Sequence, residues 1–225
     1  MNADDYKYNI CNFSIKCIVL YIFLLFVENY PNMKKYSEET KFSMYRSLLC
    51  IYFTIYALDN IIENFDNILD PINIKSDKIY ELLEWFTSYL IIDIFKMIYM
   101  KNKRLDLYIH HLIVLLSVSA SFYYDKVGLL CNIVLFNEII SIISGIDSIY
   151  MEDNELEKSK KCKIFRKYII KYIRLPIWLF GIYVILFKNN NNLPILFWLY
   201  LISFISGLGL DQYWLYKCNK VIYNK

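Results

Sequence analysis

Two adjacent histidines, His110 and His111, are the only imidazoles in this chain of 225 residues. An aspartate, Asp93, and a glutamate, Glu138, lie in the apolar stretches on either side of them. An imidazole titrates near neutral pH, so beside a carboxylate that fixes its tautomer it can take up and return a proton. At membrane depth each ionisable group costs roughly 2.5–3.5 kcal/mol, so one that persists needs a partner, water or a task. Asp93, His110, His111 and Glu138 are therefore the candidate site residues. Two imidazoles are too few for the several His boxes of a membrane di-iron enzyme or for a His-rich zinc site. The six cysteines (Cys11, Cys17, Cys50, Cys131, Cys162, Cys218) are far apart and contain no C-x-x-C, so they read as small apolar helix residues rather than ligands or disulfides. No metal or cofactor is expected.

Smaller polar residues fall at helical spacing around the four. Asp106, His110, Ser117 and Ser121 form one stripe, and Asn137, Ser141, Ser144 and Ser148 form another. Only Tyr123-Tyr124-Asp125-Lys126 separates the two segments, which makes them antiparallel neighbours with stripes that can face a common interior. Serines in such stripes are also ordinary packing residues between helices in a bilayer. Asp211 and Gln212 are two further polar residues at depth, whereas Asp59 and Asp147 fall near span ends and read as interfacial.

The elements that must position these groups follow from composition. Apolar residues make up 57% of the chain and charged residues 21%, with only five glycines and four prolines, which excludes disordered and collagenous classes. A bilayer core about 30 Å thick needs roughly 20 helical residues. Seven stretches of that kind run over about 10–28, 43–62, 80–100, 106–124, 127–149, 168–188 and 193–216. The expected fold is all-α: a multi-pass transmembrane helical bundle of about seven spans, with spans two to seven around an intramembrane cavity. The first span lacks a small-residue cleavage site, and Asp4 and Asp5 precede it, so it reads as a retained helix rather than a signal peptide. The charged stretch 150–167 reads as a solvated surface segment.

Basic residues test the count. If the seven spans alternate, nineteen of the 25 Lys and Arg side chains fall on one side of the membrane, which predicts a cytoplasmic C-terminus and a lumenal N-terminus. The net charge of +3 is too balanced for a nucleic-acid surface. The expected partition is an N-terminal region with the first helix over 1–39, a membrane domain over 40–220 and a short cytoplasmic tail over 221–225.

Ser88-Tyr89-Leu90-Ile91-Ile92-Asp93 follows Thr87, then come a basic loop and Asp106-Leu107-Tyr108-Ile109-His110-His111-Leu112. This order resembles the TLC-domain family, which includes the ceramide synthases and the TLC domain-containing membrane lipid regulators. Asn137-Glu138-Ile139-Ile140-Ser141 and Leu210-Asp211-Gln212-Tyr213-Trp214-Leu215 are similar to later polar elements of that family, and the likeness covers about residues 40–220. The chain departs from the ceramide synthase pattern in having Leu112-Ile113-Val114 after His111, Asn137-Glu138 in place of His-Asp, and no following Ser-Asp. The resemblance implies a membrane lipid as partner and a protein that binds, senses or regulates lipids. As an alternative it implies an acyl-CoA-dependent N-acyltransferase with acyl-CoA as co-substrate, in which His110 or His111 is base or nucleophile, oriented by Asp93 or Glu138. The charge pattern and the lack of a cleaved signal favour insertion at the endoplasmic reticulum, with retention there or sorting to another endomembrane.

Two other classes compete. A retinal-type receptor or pump needs a lysine inside its last span, and 193–216 contains none. A transporter built from repeats should show corresponding Gly or Pro breaks in its halves, and Pro176 and Gly207-Leu208-Gly209 do not correspond.

Overall fold

A computed structural model describes residues 10–188 and 194–223. The run Asn189–Asn192, the acidic pair Asp4 and Asp5, and the last two residues of the expected tail lie outside the described residues. Among the described residues the regular structure is entirely helical. The helices are α1 (Ile10–Asn29), α2 (Glu38–Glu63), α3 (Asp77–Tyr99), α4 (Leu105–Tyr124), α5 (Gly128–Leu135), α6 (Ile139–Glu152), α7 (Leu156–Ile169), α8 (Leu175–Phe187) and α9 (Pro194–Tyr223).

Two of the rods are compound. A single 3-10 turn, Phe136–Glu138, joins α5 to α6, and a π-helical turn, Ile170–Arg174, joins α7 to α8. Pro176 explains the second irregularity, because it has no N–H for the carbonyl four residues back and the chain widens to re-route its bonds. Both irregular turns carry site residues.

Five helical segments are long and apolar enough to cross a membrane: Asn12–Asn29, Leu105–Tyr124, Gly128–Glu152, Leu156–Phe187 and Ile195–Tyr223. That is the make-up of a multi-pass integral membrane protein. The segments of α1, α4 and α9 keep large apolar side chains exposed, among them Ile18, Ile22, Phe26, Leu112, Trp198 and Ile205, more than a water-soluble surface ordinarily presents in one band. The expected second and third spans exist as helices of 26 and 23 residues. They are more polar than the other five, because Glu38, Glu39, Lys41, Arg46, Asp59 and Glu63 interrupt α2, and Asp77, Lys78, Glu81, Glu84, Asp93 and Lys96 interrupt α3.

Several of those charges are spent inside the protein. Lys16 of α1 pairs with Glu84 and Lys96 with Glu28, clamping α1 to α3 near both ends of their contact. Phe53, Phe86 and Tyr89 form an aromatic cluster between α2 and α3. α2 lies close against α6: a Cβ on Gly145 would lie 2.5 Å from the Ser47 Cβ, and Ser47 Oγ donates to the Ile142 carbonyl at 2.7 Å. Small residues allow backbones to meet this closely.

Two expectations need correction. The stretch 150–167 is not a solvated loop: apart from a turn at 153–155 it is helical, and α7 runs on through the π-turn into α8. Lys163 holds it down by binding buried Asp147 at 2.7 Å, with Ser159 Oγ donating to the same carboxylate at 2.6 Å. Asp147, near the end of its span, is a buried anchor for α7. The second correction concerns neighbours. α4 touches α5, but α6 packs chiefly on α2 and α7, and its Ser148 bonds Ser43 of α2 at 2.9 Å.

Candidate functional site

The four candidate residues converge, although they do so as two unlike groups. Asp93 is fully buried on α3. Arg46 of α2 grips it with a two-pronged bond, Nε to Oδ1 at 2.6 Å and Nη2 to Oδ2 at 2.7 Å. This planar fork is the strongest carboxylate contact a protein offers. His111 Nε2 lies 3.2 Å from Asp93 Oδ2, and His111 Nδ1 donates to the Leu107 carbonyl one helical turn earlier at 2.8 Å. Nδ1 is committed to that carbonyl, Nε2 faces the carboxylate, and the ring is only 5% exposed. The Asp93 cluster is saturated.

The Glu138 cluster is looser. Its Oε1 stands 3.5 Å from His110 Nε2, at the outer limit of a hydrogen bond. Its Oε2 accepts from Ser141 Oγ at 2.9 Å and from the Cys50 thiol at 3.7 Å. The His110 ring packs edge-on against Trp214, with centroids 5.7 Å apart, and Trp214 Nε1 donates to Asp106 at 2.9 Å. A second buried ion pair closes this side: Arg174, 1% exposed, donates through Nε to both oxygens of Asp211 at 2.9 Å. It also donates to the Asn137 carbonyl, while Trp178 Nε1 donates to Asp211 at 2.6 Å. The 3-10 turn offers the Asn137 carbonyl to Arg174 and carries Glu138 beside it; the π-turn delivers Arg174.

Two spaces meet here. A polar chamber of about 230 Å³ is lined by Arg46, His110, His111, Glu138, Ser144 and Arg166, among others. An apolar slot of about 50 Å³ is walled by Val114, Val118, Val134, Tyr200, Phe204 and their neighbours. His110, Glu138 and Arg174 line both. Asp93 lines neither; it lies behind Arg46 and His111, where it fixes the chamber wall rather than facing the space. His110 is thus the imidazole at the junction of polar and apolar volumes.

Sequence reasoning missed the basic half of the site. Arg46 and Arg174 count by position as charges flanking spans, yet both are buried against carboxylates. The signal was present: each lies inside an apolar stretch, and each faces an aspartate that is equally costly alone. Charges buried in hydrocarbon come in pairs. Ser117 of the first stripe bonds Ser203 of α9 at 2.8 Å, so it serves packing. Gln212 is exposed, unlike Asp211. Among the described residues no group of three or more His, Cys, Asp or Glu side chains is placed to hold a metal ion. No family model matches the chain, and no curated protein or solved structure matches it.

Proposed function

We propose that this chain is a seven-span membrane protein of TLC-domain type that binds or senses a membrane lipid at the His110–Glu138 junction. The observation that carries the reading is the shared wall. One volume is lined with arginines, serines and imidazoles, the adjoining one with aliphatic and aromatic side chains, and His110, Glu138 and Arg174 border both. An amphiphile needs that pairing of surfaces: a head that keeps its hydrogen bonds and a chain that leaves water. In the seven-span arrangement α2 and α3 cross with the other five segments. Most of their interior charge is cancelled by the Arg46–Asp93, Lys16–Glu84 and Lys96–Glu28 pairs, and the C-terminus faces the cytoplasm in an endomembrane such as the endoplasmic reticulum.

The test is lipid analysis of the full chain purified in a mild detergent, with and without His110→Ala. A lipid species that co-purifies with the wild-type chain and drops at least tenfold in the variant supports the reading. Equal lipid content in the two removes it.

A specific observation favours acyl transfer as the second reading: His110 borders both volumes, and a carboxylate stands 3.5 Å from its Nε2. In that reaction an amine nitrogen attacks the carbonyl carbon of a long-chain thioester such as acyl-CoA, and the carbon–sulfur bond breaks. The amine proton passes to His110 and then to the departing thiolate, while Glu138 holds the ring. N-acylated product from a long-chain base and acyl-CoA, lost in His110→Ala, would establish the enzyme. A changed cellular lipid profile without product would favour the sensor.

A further inference from the structure

The wall of the polar chamber carries four guanidinium groups, those of Arg46, Arg104, Arg166 and Arg174, and two carboxylates, Glu138 and Asp147. Cations outnumber anions on its surface. The aspartates that hold three of the arginines, Asp93, Asp106 and Asp211, stand outside that wall. Each of these pairs is therefore a dipole with its positive end toward the space, in an interior that screens it less than water does.

Arg166 differs from the other three. It makes no hydrogen bond among the described residues: its Nε has no partner, and its Nη1 lies 3.6 Å from Asp147 Oδ2, beyond hydrogen-bond reach. Asp147 is already occupied, accepting from Lys163 Nζ at both oxygens and from Ser159 Oγ. The Arg166 side chain keeps 19% of its surface exposed and lies on the chamber wall. Arg46 and Arg104 each spend Nε and Nη2 on an aspartate and leave Nη1 without an acceptor among the described residues. Donors that lack acceptors thus share one space.

From this geometry we infer that the chamber binds a terminal phosphate group, gripped by Arg166. The inference deepens the lipid-binding reading above and rests on it for one source of that group, a lipid headgroup; free inorganic phosphate has the same chemistry. A terminal phosphate presents three accepting oxygens in a tetrahedral array. Two meet the Arg166 fork, and the third accepts from a second guanidinium. A carboxylate spends both of its oxygens on one fork, and an ammonium would face four like charges. The chamber, about 230 Å³, is several times the roughly 30 Å³ share of one water molecule, and a phosphate with its five heavy atoms displaces only a few waters. Arg104, half-exposed at the start of α4, marks the mouth, and Arg174, buried at the π-turn, the floor. The rest of a ligand leaves at the Arg104 end.

The test uses the full chain purified in a mild detergent. Dioleoyl phosphatidic acid and dioleoylglycerol, which differ in the phosphate alone, are titrated and read by native mass spectrometry, and radiolabelled inorganic phosphate is titrated by equilibrium dialysis. Phosphatidic acid should bind about tenfold more tightly than dioleoylglycerol, and Arg166→Gln should weaken it about tenfold, the loss of one charge-assisted hydrogen bond. Lys160→Gln removes an exposed cation from the same helix outside the chamber and should change it less than about twofold. Equal binding of the two lipids, or equal losses in the Arg166 and Lys160 variants, overturns the inference and leaves the lipid-binding reading in place. The comparison of the two lipids needs no variant, so a glutamine chain that fails to fold does not remove the test. Arg166-dependent binding of inorganic phosphate with neither lipid bound upholds the inference for the free anion and removes the lipid-binding reading. If neither lipid nor phosphate binds, both fall.

Discussion

Two of the buried carboxylates, Asp93 and Glu138, differ in how fully their surroundings bond them. Asp93 is fully buried, receives two hydrogen bonds from Arg46 within 2.7 Å and has His111 Nε2 3.2 Å away. Glu138 is also buried, but its histidine stands 3.5 Å away and its remaining contacts are a hydroxyl and a thiol. A saturated cluster resists change because every rearrangement breaks a charged bond. An under-coordinated one can exchange partners cheaply. The adjacent histidines inherit this difference, His111 as a strut and His110 as the group with bonding capacity to spare. Their neighbourhood in sequence hides it, since consecutive helix positions point about 100° apart.

The comparison breaks most visibly at Arg46. Arg46→Met leaves Asp93 buried without its cation, and the expected cost is about 3–5 kcal/mol, read as a fall in the denaturant midpoint of the purified protein in mixed micelles. Arg46→Met combined with Asp93→Leu should recover most of that loss, because the pair is then replaced by apolar packing. If the single variant is as stable as wild type, the Asp93 cluster is not the strut described here.

The two imidazoles give the next largest contrast. His111→Ala removes a buried ring bonded to the Leu107 carbonyl and packed beside Asp93, and should cost about 1–3 kcal/mol of stability. His110→Ala should cost less than about 1 kcal/mol while abolishing lipid retention. The same measurements on both variants decide the assignment, and a swap of the two outcomes would exchange their roles. A smaller effect is expected at Ser141→Ala, which removes the best bond to Glu138: about 0.5–1.5 kcal/mol in stability, with a measurable change in His110-dependent lipid binding.

How much of this was legible in the sequence depends on the kind of residue. Helix positions were legible because apolar runs of membrane length leave little freedom: α1 ends at Asn29 and α4 at Tyr124, within a residue of where the hydrophobic pattern ends. The convergence of the four candidate residues was legible because ionisable groups at depth are costly and need partners. Their division into two clusters was not, since it depends on Arg46, a residue from a different helix whose charge by position looks like a loop charge. The start of α7 was hidden for a related reason. Glu155, Glu157, Lys158, Lys160, Lys161 and Lys163 give 155–163 the composition of a solvated loop, and only the contact of Lys163 with Asp147 shows which face of that helix is buried. Arg166 was visible as one basic residue among many, but an unmet hydrogen bond is a property of the fold and leaves no trace in residue order.

The smallest effect contrasts the saturated interior with an exposed contact that holds the α1–α2 connection. Tyr36 donates to Asp153 at 2.8 Å and Lys35 at 3.0 Å, while the Ser37 backbone and hydroxyl both donate to Glu152. The Tyr36 hydrogen bond, and then that of Lys35, holds the Asp153 carboxyl below its ordinary value of 3.8. The same partners raise Lys35 above its ordinary 10.5. A depressed carboxyl stabilises the docked state above its unfolded value and loses that contribution as pH falls through the folded one. The raised lysine contributes below its unfolded value and loses this as pH rises through the folded one. Hydrogen exchange of residues 31–37, corrected for intrinsic rate, should therefore show constant protection across neutral pH and a loss only below about pH 3.8. Asp153→Asn should lower protection on the plateau by no more than a few-fold, because the pair is exposed and screened. A loss of protection at neutral pH would show that this contact does not hold the connection.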